Sequence, residues 1–126
     1  MDYRTPLSRV RGLGSAKSGT GHWWMQRVTA VALIPLSFWL IYFLGLSITA
    51  PYSETLAWLM SPLNSVGIVA WIIAAFYHAA LGLQVVIEDY VAAEGPKIIL
   101  IWVVNLAFLL LAIAALLAVF RVVSIG

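Results

Sequence analysis

Three long apolar stretches, a scarcity of charge and the lack of any cysteine predict an all-α membrane protein. The chain should cross the bilayer three times, with its N-terminus inside and its C-terminus outside. Apolar residues make up 63% of the 126 and charged residues only 10%, against roughly 25% charged in an ordinary soluble domain. Mean hydropathy is +1.02. A helix rises about 1.5 Å per residue, so about 20 apolar residues cross the hydrocarbon layer. The stretches near 28–49, 66–87 and 98–119 each reach that length. Residues 1–126 read as one membrane domain with a basic arm over 1–27.

The arm holds Arg4, Arg9, Arg11 and Lys17 with Asp2 as its sole acid, and no apolar core of a cleavable signal precedes the first span. It is short and punctuated by Gly and Ser, without an amphipathic stripe. That favours an uncleaved arm in a bacterial inner (cytoplasmic) membrane over a mitochondrial inner membrane. Five of the seven Lys and Arg, counting Arg27, precede the first span; Lys97 lies between the second and third and Arg121 follows the third. Three spans put six of these cations on one side and one on the other, which sets the N-terminus inside. The formal charge of +2 does not imply nucleic acid, because the basic arm lacks interleaved aromatics and runs straight into lipid. Contact with anionic lipid and with a soluble partner are both open to it.

Trp23-Trp24 open the first span as interfacial anchors. Pro35 lies inside it and should kink or loosen the helix. In the outer loop, 50–65, Ser53 is placed to cap a short interfacial helix carrying Leu56, Trp58, Leu59 and Met60, which Pro62 should stop. The inner loop, 88–97, ends in the turn signal Gly95-Pro96. The lack of cysteine excludes disulfides, an iron–sulfur cluster held by this chain and haem attached through thiols.

The chemistry gathers on the second span. At about 100° per residue, His78, Gly82, Val85 and Asp89 project along nearly one line, and Ala74 and Ala75 extend that face. An imidazole near the bilayer midplane is costly without a partner. Three readings stay open: an interhelical hydrogen bond, a proton relay, and ligation of haem iron by a neutral imidazole in a dry site beside small residues. Bis-histidine ligation would need a second polypeptide or a second copy. The only other histidine, His22, lies about 15 Å away in height at 1.5 Å per residue. Tyr90 falls about 18 Å along the helix from His78, at the inner interface. There Asp89 and Tyr90 are either a solvated helix end or a quinone contact, the phenol donating to a carbonyl and the acid handling protons. Arg27 either snorkels or binds a haem propionate. Gln84 and Asn105 read as interhelical hydrogen-bonding residues.

Two segments carry a family resemblance. One is Gly12-Leu13-Gly14-Ser15-Ala16-Lys17-Ser18-Gly19 running into His22 and Gln26-Arg27-Val28-Thr29-Ala30. The other is His78-x-x-x-Gly82 followed by Asp89-Tyr90. Together they resemble the hydrophobic membrane anchor subunits of succinate dehydrogenase, respiratory complex II, in an alphaproteobacterial form. The resemblance implies a subunit that is not catalytic alone and does not touch succinate. It implies haem b shared between His78 and a cytochrome b556 membrane subunit, with Arg27 near the propionates. It implies ubiquinone as substrate beside Tyr90, with Asp89 adjacent, and an iron–sulfur subunit and a flavoprotein subunit as further partners. His22 matches an arm histidine without an assigned role. Two alternatives remain: a haem-free anchor of the fumarate reductase type, which has no need of a mid-membrane histidine, and a small transporter or channel protomer, for which this chain has few polar residues in its spans.

Overall fold

Lipid offers no partner to backbone N–H and C=O groups, so each apolar stretch must satisfy its own by becoming a helix. The computed structural model describes residues 5–7 and 19–125. Its helices are α1 (Gly19–Thr49), α2 (Tyr52–Met60), α3 (Pro62–Tyr90) and α4 (Glu94–Ile125). Of these, α1, α3 and α4 are long and apolar enough to cross a membrane. Arg4, Arg9, Arg11, Lys17 and the motif from Gly12 to Ser18 lie outside the described residues.

All three spans are longer than their apolar cores, because helix continues into the interface until a specific stop. α1 runs through Pro35 as one helix. Pro62 does not stop α2 but opens α3 as its first residue. There the ring's fixed φ suits a helix start, and the missing N–H would have had no acceptor. The residue that ends α2 is Ser61, whose N–H bonds the Trp58 carbonyl at 3.3 Å. Nor does Ser53 cap α2: the helix begins at Tyr52, with Pro51 at the cap and no side-chain capping bond. Gly95-Pro96 likewise fall inside the first turn of α4, where proline removes no intrahelical bond. The non-helical stretch between α3 and α4 is only 91–93.

α3 is the central helix: it packs against both α1 and α4, which do not touch each other. The α1–α3 seam is antiparallel, as four cross-contacts fix. Trp39 lies over Gly67, Trp71 Nε1 donates to Ser37 Oγ at 3.1 Å, Thr29 meets His78, and Gln26 lies over Gly82. Small residues on α3 let α1 approach closely, the usual device where lipid removes the hydrophobic drive between helices. α2 crosses the far end, its Trp58 ring stacked on Phe43 of α1 at 4.5 Å. Asn64 Nδ2 closes that corner by donating to the Trp58 carbonyl at 2.8 Å. On the other side of α3, Phe76 meets Phe108 of α4 at 6.0 Å.

Two serine hydroxyls in the long helices bond their own backbone. Ser47 donates to the Phe43 carbonyl at 2.8 Å and Ser124 to that of Phe120 at 2.7 Å. Large apolar side chains such as Phe38, Ile41, Leu110 and Ile113 face outward, as lipid or neighbouring membrane helices require.

The seam predicts a size limit at Gly67. A Cβ there would stand 3.5 Å from the Trp39 ring, an ordinary contact. Gly67→Ala should therefore be tolerated, whereas Gly67→Leu should cost about 1–3 kcal/mol by overpacking. Thermal unfolding of the solubilised protein measures both, and equal stability of the two variants would contradict this seam.

Candidate functional site

One polar line on α1 meets the His78 face predicted on α3. His22, Gln26 and Thr29 follow one another at helical spacing on α1 and face the stripe of His78 and Gly82. His78 Nδ1 lies 2.9 Å from Thr29 Oγ1, with the imidazole half-buried. Thr29 is 6% exposed and is the one buried polar side chain among the described residues. Its hydroxyl also lies 2.7 Å from the Met25 carbonyl and 3.2 Å from that of Gln26. His78 Nε2 bonds to none of the described residues.

Thr29 levels α1 with His78 and refines the height of the second histidine. His22 is seven residues below Thr29, about 10 Å along the axis rather than 15 Å. That still far exceeds the roughly 4 Å between two axial nitrogens on one iron at Fe–N lengths near 2 Å. Among the described residues no three His, Asp or Glu side chains gather as a metal site. His22 Nε2 and Gln26 Oε1 are enclosed without hydrogen-bond partners, so the seam below His78 keeps unspent polar capacity.

The other predicted residues stand apart from the His78 contact. Asp89 and Tyr90 form the last residues of α3, both exposed, Tyr90 at 84%. Gln26 is level with Gly82, so the next two turns of α3 bring this pair to the end of the packed seam, about 18 Å from His78. Neither side chain bonds the other. Arg27 is exposed and lies about 160° around α1 from Thr29 at 100° per residue. Its guanidinium rests 4.9 Å from the centre of the Trp23 ring. Trp23 in turn meets Trp24 edge-on at 5.2 Å.

Two expectations change. Gln84 does not bond across helices: its Nε2 donates to Glu88 Oε1 at 3.0 Å on its own helix, one turn away. Asn105 makes no side-chain hydrogen bond to any described residue. Both line a cavity of about 630 Å³ between α3 and α4, with Tyr77 and Phe108.

Thr29 and Gln26 were not singled out as site residues from sequence. The signal was present as three polar residues at helical spacing, His22, Gln26 and Thr29, leading into the first span. It becomes meaningful only once α1 is known to face α3.

The donor set suits a haem shared with another chain. His78 Nδ1 is held by Thr29 and Nε2 bonds to none of the described residues, so the site could give an iron one imidazole nitrogen and no second one.

Comparison with known proteins agrees with this architecture. The family model of succinate dehydrogenase/fumarate reductase transmembrane subunits matches residues 1–120. A Rickettsia bellii protein named succinate dehydrogenase hydrophobic membrane anchor subunit is 38% identical over 119 residues, 94% of this chain and 95% of its own length. A Paracoccus denitrificans protein of the same name is 30% identical over 114 residues, 90% of this chain and 88% of its own. A succinate dehydrogenase membrane anchor subunit of Reclinomonas americana is 30% identical over 92 residues, 71% of this chain and 77% of its own.

Proposed function

This chain belongs to the succinate dehydrogenase/fumarate reductase transmembrane subunit family, and from that premise we propose that it anchors a succinate:quinone oxidoreductase in the membrane. In this reading it holds half the ligation of a haem b and part of the ubiquinone site. The observation that carries the reading is His78: a mid-span imidazole held at Nδ1 with Nε2 free, beside small residues. Family membership sets the transporter reading aside. The haem-free fumarate reductase anchor remains the rival, and a mid-span histidine oriented by Thr29 weighs against it.

The residues divide the labour by height. His78 Nε2 would be this chain's ligand to the haem iron, and a second imidazole would have to come from a cytochrome b556 membrane subunit, since His22 is out of reach. Haem b, when bound, supplies a one-electron store beside the quinone site. Arg27 would neutralise a haem propionate, a charge-assisted contact suited to guanidinium. At the end of α3, Tyr90 donates its phenolic hydrogen to a ubiquinone carbonyl, and Asp89 passes protons as the ring takes up two electrons and two protons to become quinol.

The electrons come from succinate, oxidised to fumarate by a soluble flavoprotein subunit and carried to the membrane face by an iron–sulfur subunit. This chain does not contact succinate and is not an enzyme by itself. The N-terminal arm and the stretch 91–93 face the cytoplasm of a bacterial inner membrane, beside those soluble subunits, because six of seven Lys and Arg gather at that end.

Two experiments test the reading. In a reduced-minus-oxidised spectrum of the purified complex, a b-type signal is expected from the wild type and its loss from His78→Ala. A signal unchanged in the variant would remove the ligand role, and none in either protein would favour the haem-free anchor. Tyr90→Phe should lower ubiquinone reduction by about 10²–10⁴-fold, the scale of a lost general acid, while succinate oxidation by an artificial dye persists. A parallel fall in both activities would place the damage in assembly.

A further inference from the structure

We propose that Thr29 is a positioning residue: it holds His78 in the tautomer with the proton on Nδ1, leaving the electron pair of Nε2 for iron. This rests on the haem reading above and adds to it the residue that aims the ligand. A neutral imidazole carries one ring proton, and only the nitrogen without it can bind a metal. Which nitrogen that is depends on what the other one meets.

Here Nδ1 meets Thr29 Oγ1 at 2.9 Å, and the direction of that bond follows from the surroundings of the hydroxyl. Thr29 has one hydroxyl proton and three acceptors near it: the Met25 carbonyl at 2.7 Å, the Gln26 carbonyl at 3.2 Å and His78 Nδ1. Two oxygens 2.7 Å apart are at the usual length of an O–H···O bond. With no proton between them they would oppose lone pair to lone pair. The Thr29 proton therefore lies toward Met25, and Oγ1 is left as an acceptor. Nδ1–H must then donate to it.

Burial makes the arrangement durable. Thr29 is 6% exposed, so water does not compete for Nδ1–H, and the backbone of α1 fixes the position of Met25. The α1–α3 seam thus works as a jig for a ligand carried on α3. An acceptor behind a metal-binding imidazole fixes its ring orientation and raises its basicity. A more basic ligand favours ferric over ferrous iron, so Thr29 should hold the haem potential down.

The test uses the complete purified complex with Thr29→Val, Thr29→Ala and Thr29→Ser. Spectra report haem occupancy, and redox titration reports the midpoint potential. Val and Ala remove the acceptor. The expected result is a retained b-type signal with the ferric preference weakened on the order of tenfold, an upward shift of about 59 mV for a one-electron couple. Ser keeps the hydroxyl and should keep the wild-type potential. Unmoved potentials in Val and Ala, with the signal intact, would overturn the role of Thr29 and leave the haem reading standing. Should Val and Ala assemble without haem, Ser decides. Haem at the wild-type potential in Ser supports the proposal, and loss in Ser as well makes Thr29 a packing residue only. A wild-type complex without a b-type signal would sink the haem reading itself, and this inference with it.

Discussion

A hydrogen bond between α1 and α3 has no water to replace it, and the Thr29–His78 contact joins fold and site for that reason. Inside a bilayer a polar side chain is satisfied by its own helix, by a neighbouring helix or by a ligand. Ser47 and Ser124 take the first course, bonding the carbonyl one turn back on their own helices. His78 cannot, since a neutral imidazole has both a donor and an acceptor to place. It places one on Thr29 and keeps the other.

The rest of the α1–α3 seam permits that contact. Gly67 under Trp39 and Gly82 under Gln26 let the helices close at both ends of it. The Trp71–Ser37 bond pins their relative height between. A slip of one turn, about 5.4 Å, would part all four pairs at once. α2 adds a brace at the far end through Trp58 and Phe43, so the near end, with Asp89 and Tyr90, stays open. That division suits the proposed function: a half-buried ligand held by the seam above and an accessible quinone face below, with soluble subunits beyond it.

Much of this was legible in the residues alone, for physical reasons that differ by feature. The three spans follow from apolar run length, because lipid leaves a backbone no alternative to helix. Their ends were less legible. Pro62 and Pro96 read as breaks, yet both sit in first turns, where an absent N–H is harmless. His78 stood out because its cost in lipid demands a partner. Gln84 misled, since a glutamine in a span suggests a bond to another helix, while Glu88 one turn on offered a nearer acceptor. Arg27 read as either snorkelling or binding a propionate, and in the folded chain its guanidinium rests on Trp23.

By itself the sequence determined the class of the protein, the number of its spans, the helix that carries the chemistry and the face of that helix, because these depend on hydropathy and on the helical repeat. Only the tertiary structure decided which residue of α1 meets His78 and how far below it His22 lies. It also decided that Asp89 and Tyr90 stand beyond the packed seam. Those answers depend on the rotation and height of one helix against another. Small residues and a few interhelical bonds set both, and neither leaves a periodic trace in a single chain.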